Sequence, residues 1–209
     1  MTFASGRFIR PFTAALALAS AFFVISPASA QNTTPTGVRG TITALAGDTL
    51  SVRTKAGKDV AVKLAADTAV RGVSLDKIEN IKSGSYIGAA SIPQADGTLK
   101  ALEVHVFPPS LRGSGEGHRA WDLGKNSTMT NGTVGDLVVS NGRTITVKYP
   151  NGEKKIVVPA DVPIVSLTLG DRSLLQPGTH VVLFAQKSAD GSLVAKFISA
   201  GKDGIVPPM

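Results

Sequence analysis

The chain has 209 residues, with 22 Lys and Arg against 15 Asp and Glu, and no cysteine. Without cysteine there are no disulfides, thiolate metal sites or thiol catalysis, so the core must hold the fold. The net charge of +7 is scattered singly and only 5% of residues are aromatic. That argues against the clustered basic, ring-bearing face of a nucleic-acid binder.

Residues 1–30 read as a secretory signal peptide. Arg7 and Arg10 form a positive start, Phe12 to Ile25 is apolar and uncharged, and Ser26-Pro27-Ala28-Ser29-Ala30 is a small-residue cleavage site. The apolar run is shorter than the ~20 residues of a spanning helix, so cleavage is expected after Ala30. No later apolar run approaches spanning length, and no cysteine follows to carry a lipid. The expected product is a soluble periplasmic protein with no membrane span, which excludes a permease. Removal of Arg7 and Arg10 leaves 20 basic against 15 acidic residues, a net charge of +5. That charge is compatible with mild attraction to an anionic envelope surface.

Residues 38–107 form a first unit. Leu50 and Val52 alternate with Ser51 and Arg53, and Val60, Val62 and Leu64 alternate with Ala61 and Lys63. Period two is the mark of a strand with one buried face. Turns are marked by Gly47-Asp48, Gly57 and Asp96-Gly97. Ser74 to Ile81 breaks the alternation with apolar residues at 75, 78 and 81. That spacing predicts a short helix with Ser74 as N-cap. Strands are expected at 85–92 and 98–107.

Residues 108–131 connect this unit to the next. Pro108-Pro109 ends the last strand, since proline cannot donate to a ladder. The stretch then carries Gly113, Gly115 and Gly117, His118 and the single tryptophan, Trp121. Ser114 has neither the preceding strand nor the following helix of a nucleophile elbow. The glycine spacing matches no phosphate loop. Asn126 and Asn131 sit in Asn-x-Ser/Thr triplets, read here as loop composition.

Residues 132–201 repeat the first unit, and 202–209 read as a loose tail. Asp67, Gly84 and Gly97 recur as Asp161, Gly178 and Gly191, all 94 positions on, and ADGTLKA recurs as ADGSLVA. Ile145, Val147 and Tyr149 supply the alternation, and Asn141-Gly142 and Asn151-Gly152 the turns. Strands are expected at 179–187 and 192–199, with Leu169–Leu175 as the weaker counterpart of the helix. Three strands, a short helix and two strands is the order of an OB-fold, a five-stranded barrel. The fold expectation is all-β, with one short helix per repeat, as two tandem OB-like barrels.

GTITALAGDTLSVRTKAGKDVAVKL, KSGSYIGAASIPQADGTLKALEV and their second copies resemble an OB-like β domain of unknown function found in exported bacterial proteins. The resemblance covers nearly all of 38–201 and implies the fold, not an activity. The segment GEGHRAWDL…STMTNGT is similar to one in alphaproteobacterial proteins with the same two-domain layout.

The densest polar and aromatic group is Glu116, His118, Arg119, Trp121 and Asp122. A structural clasp is the expectation: Trp121 packed on the barrels, Arg119 paired with Asp122, and His118 capping a loop carbonyl. The same five residues are the place for a ligand if the segment binds one. The expected function is a non-catalytic binding or envelope-associated module, whose partner is an unknown envelope component or small ligand. A rival is a periplasmic enzyme with Glu116, His118 and Asp122 in an inter-barrel cleft. A third reading is a metal-handling accessory protein using His118 with His105 or His180. His105 and His180 otherwise read as ordinary strand residues. No catalytic residue, metal site or cofactor is assigned.

Overall fold

The structure, a computed structural model, describes residues 1–2, 35–138 and 143–209. The apolar run and small-residue site read as a signal peptide, and the Asn141-Gly142 turn, lie outside the described residues. The alternating segments become strands. The first unit supplies β1 (Thr36–Ala46), β2 (Thr49–Thr54), β3 (Asp59–Leu75), β4 (Tyr86–Pro93) and β5 (Leu99–Val106). The middle supplies β6 (Gly117–Ala120). The rest supplies β7 (Thr128–Val138), β8 (Thr144–Tyr149), β9 (Gly152–Val157), β10 (Ile164–Gly170), β11 (His180–Lys187) and β12 (Leu193–Gly201). The hairpin turns are built alike. Asp96 Oδ1 accepts from Thr98 N and Oγ1, Asp190 Oδ1 accepts from Ser192 N and Oγ, and Gly97 and Gly191 follow at φ 84° and 82°. Positive φ is the reason for glycine there.

The order β12-β11-β1-β2-β3 closes through a parallel β12–β3 pairing into a five-stranded barrel. Its core holds Ile42, Leu50, Val52, Val62, Leu183 and Ile198, all at most 1% exposed. The ends of β5-β4-β7-β8-β9 meet in the same way, through parallel β5–β9 pairs Leu99↔Ile156 and Lys100↔Val157. A second core of Ile81, Ile87, Val104, Ile145, Val147 and Ile156 lies inside that ring. β10 runs parallel to β5 and antiparallel to β3, so it forms the seam between the two groups.

The strand pairing departs from the expectation that 38–107 and 132–201 each close on themselves. β1 pairs with β11 and β4 pairs with β7, so each three-stranded meander takes its closing hairpin from the other unit. The registers correspond: Thr41↔His180 on one side is matched by Thr133↔Tyr86 on the other. The physical reason lies in the connector. β3 runs 17 residues, well beyond the usual five or six, and its end lies along β10. The link to β4 then holds only a three-residue 3-10 turn, Ile78–Asn80. So short a turn does not carry the chain back over its own ring. It places Ile78 and Ile81 in the neighbouring core instead. The described residues from 35 onward consequently form one compact unit.

The expected helices are corrected too. Ser74 lies within β3, and the turn at 78–80 has Lys77 at its N-cap, with no side-chain cap bond. Its counterpart is another 3-10 turn, Arg172–Leu174, capped by Asp171 onto Ser173 N. The middle segment is not aperiodic, because β6 pairs with the early part of β7. Nor is the tail loose. Met209 is 6% exposed and its main-chain oxygen accepts from Arg39 Nε at 3.0 Å. Among the described residues no helix is long and apolar enough to cross a membrane.

Candidate ligand-binding site

A third apolar cluster lies at the seam, outside both ring cores. It combines Val73, Tyr86, Phe107, Val165, Leu167 and Phe184 with half-buried Trp121 and Phe197. Two matching β-bulges send polar and aromatic side chains there. Ala90 pairs with Glu103 and Ser91 with Ala101, so Leu102 is the extra residue. Phe184 pairs with Phe197 and Ala185 with Ala195, so Lys196 is extra in the same way. A bulge inserts one residue and reverses the facing of those that follow. Before each bulge Ala101 and Ala195 point into the ring cores. After it Phe107 and Phe197 join the seam, and His105 and Ser199 line the cavity there.

That cavity has a volume of about 120 Å3. Its polar lining comes from Arg71, His105, Arg119, Trp121, Asn131 and Ser199, set among Phe107, Phe184 and Phe197. Glu103, 0% exposed, anchors one wall. Its carboxylate accepts from Ala90 N at 2.9 Å and holds His105 Nδ1 at 3.0 Å. The His105 ring meets Phe107 edge-on at 4.9 Å. Gly88 makes room for this pair, since a Cβ there would fall 2.5 Å from His105 Cε1 and 2.6 Å from Asn131 Oδ1.

The seam's rings are faced by arginines. Arg119 stacks over Trp121 at 5.5 Å, Arg71 over Phe197 at 5.0 Å, Arg39 over Phe184 at 5.8 Å and Arg112 over Tyr86 at 5.6 Å. Most of these cations have oxygen partners. Arg112 donates to Gly84 O and Thr133 Oγ1, Arg119 to Gly115 O, and Arg39 to Asp122. Arg71 is different. Its Nε is buried without a partner, and burial lowers its pKa with no acidic group to oppose the shift. Trp121 Nε1 and Asn131 Oδ1 are also buried and unpartnered.

The five residues singled out in the sequence do not converge. Alternation along β6 sends His118 and Arg119 to opposite faces. Arg119 and Trp121 meet at the cavity. His118 is 2.8 Å from Thr130 Oγ1 and stacks on Tyr149, rather than capping a carbonyl. Burial first, then Lys154 and Arg119, push its pKa down. Asp122 pairs with Arg39 at 2.6 and 2.8 Å, not with Arg119. That hydrogen-bonded pair holds its carboxyl below the usual range. Glu116 is exposed. Burial, then its charge, push the Tyr86 hydroxyl up to about 12. The packing of Trp121 is as expected, with its ring 5.0 Å from Phe184.

Residues 39–105 match a domain of unknown function, DUF5666. The matched stretch runs from β1 to β5, one unit of the sequence. In the structure β1–β3 of the matched stretch belong to one ring and β4–β5 to the other. No curated protein and no solved structure matches the chain.

The residues missed in the sequence are Arg71, Glu103, Asn131 and Ser199, while His105 reads there only as a metal ligand with His118 or as an ordinary strand residue. One signal was readable. Leu99, Ala101, Glu103, His105 and Phe107 share one phase, which puts two ionisable groups among apolar ones. Asn131 is 4% exposed within β7 rather than in a loop. His180 contacts Thr41 Oγ1 at 2.9 Å. Among the described residues no three His, Asp or Glu side chains group so as to hold a metal ion.

Proposed function

We propose that this chain is an exported, non-catalytic binding protein of two strand-exchanged OB-like barrels, which holds a small ligand in the seam cavity. One observation carries the reading. Three of the four unpartnered buried side-chain atoms among the described residues belong to residues that line this one cavity. Buried polar groups normally find partners, so three orphans within the wall of one space argue for a ligand that shifts that wall and supplies them. The apolar wall with few convergent polar groups is the usual make-up of a small-molecule site. The paired registers around β3 and β10 support the duplicated, exchanged architecture. The periplasmic location rests on the signal-peptide reading of residues 1–30.

The test is native mass spectrometry of the protein isolated from its own compartment, before and after denaturation. The proposal expects one small molecule retained per chain and released on unfolding. A chain that carries nothing, and whose melting temperature no metabolite in a broad set raises, would overturn it.

A further inference from the structure

Resting on that reading, we infer that the ligand is a small organic carboxylate with an apolar body, its carboxylate held by Arg71 and Trp121. The chemistry of the wall points there. Arg71 Nε and Trp121 Nε1 are N–H donors buried without acceptors in the cavity wall, and a carboxylate reaches them as that wall shifts. Arginine cannot shed its charge, so a guanidinium inside a protein calls for an anion. No Asp or Glu side chain lines the cavity, and Arg119 adds a second cation. The carboxylate nearest His105 is Glu103, which is already engaged by Ala90 N and the imidazole. Burial depresses the Arg71 pKa, and among the described residues no carboxylate offsets that. An incoming carboxylate would.

The rest of the wall sets the body of the ligand. Phe107, Phe184, Phe197 and Leu167 offer apolar surface and no charge. Asn131 Oδ1 is the one unpartnered acceptor, and it repels a carboxylate oxygen, turning that end toward the arginine and indole. The volume of about 120 Å3 lies below the roughly 300–1,000 Å3 of drug-sized pockets. A cavity of about 150 Å3 holds benzene, so an acid the size of phenylacetate enters carboxylate first and keeps part of its body at the cavity mouth, and a polymer does not fit. A planar carboxylate suits the guanidinium fork, whereas inorganic phosphate has no use for the aromatic wall.

Isothermal titration calorimetry on the full chain distinguishes these cases, with phenylacetate, the isosteric phenylacetamide and inorganic phosphate as probes. Phenylacetate is expected to bind one per chain, and the amide and phosphate at least about tenfold more weakly, as loss of one charge-assisted hydrogen bond implies. Arg71→Met keeps the stem on Phe197 and is expected to weaken phenylacetate by about 10- to 100-fold on the same grounds. Arg119→Met is the second variant should the first misfold, and a smaller loss is expected from it. Equal binding of the amide or of phosphate overturns the carboxylate inference and leaves the cavity reading standing. Failure of every probe overturns the carboxylate inference, and the cavity reading is then decided by the retained-ligand measurement above.

Discussion

Val73 lies opposite Leu167 in the antiparallel β3–β10 ladder, and the 94-residue offset between the two sequence units carries one onto the other. The pair therefore marks the centre of the exchange. On either side of it Arg71↔Leu169 is mirrored by Leu75↔Val165. Each ring depends on a hairpin that reaches it only through this seam. Leu167→Ala should cost about 2–5 kcal/mol, the range for a buried leucine. Denaturant unfolding followed by Trp121 fluorescence and by circular dichroism should give coincident single transitions. Two separated transitions would mean that the rings fold independently.

Gly88 is a second sharp test. Alanine there runs into His105 and Asn131, and both are buried. Gly88→Ala should destabilise by about 1–3 kcal/mol, as overpacking does. It should also move the His105 imidazole resonances while leaving those of His180 in place. An unchanged His105 signal would contradict the packing described here.

The Arg39–Asp122 pair gives a pH dependence. The folded Asp122 carboxyl is held below its usual value, first by the hydrogen bond from Arg39. Its contribution is therefore complete above the unfolded value of about 3.9, and is lost as pH falls through the lower folded value. The side chains are 25% and 47% exposed, so the pair contributes only about 0–1 kcal/mol. Asp122→Asn should lower stability by that much at neutral pH and match the parent chain in strong acid. A gap that persists at low pH would assign the effect to something other than the ion pair.

His118 and the cavity can be separated. His118 faces Thr130 and Tyr149, away from Trp121. His118→Ala should lower the melting temperature slightly and leave phenylacetate affinity unchanged. A loss of affinity with unchanged stability would return His118 to the site.

How much of this was legible depends on which facing rule held. Leu50, Val52, Val62, Ile145 and Val147 alternate without interruption and are all buried as read. The closing hairpins at 86–106 and 180–201 fell within a residue or two of expectation. Facing was lost at Leu102 and Lys196, where bulges turn Glu103, His105, Phe197 and Ser199 from the ring interiors to the seam. No turn residue announces these bulges. The partner of each hairpin was not legible either, because identical turns and apolar patterns fit either ring. The choice was made by the connector, where Leu75, 70% exposed, extends β3 instead of starting a helix. Trp121 was found because a lone large ring is costly in water. Arg71 was passed over because a single arginine in a strand reads as solvated.

The most direct measurement uses the single tryptophan. Its indole Nε1–H gives one side-chain N–H signal in a 15N correlation spectrum. Titration with phenylacetate should shift that signal in a saturable, one-site manner, and Arg71→Met should abolish the shift at the same concentrations. An indole signal that stays in place while phenylacetate binds would put the ligand elsewhere on the chain and contradict the seam site.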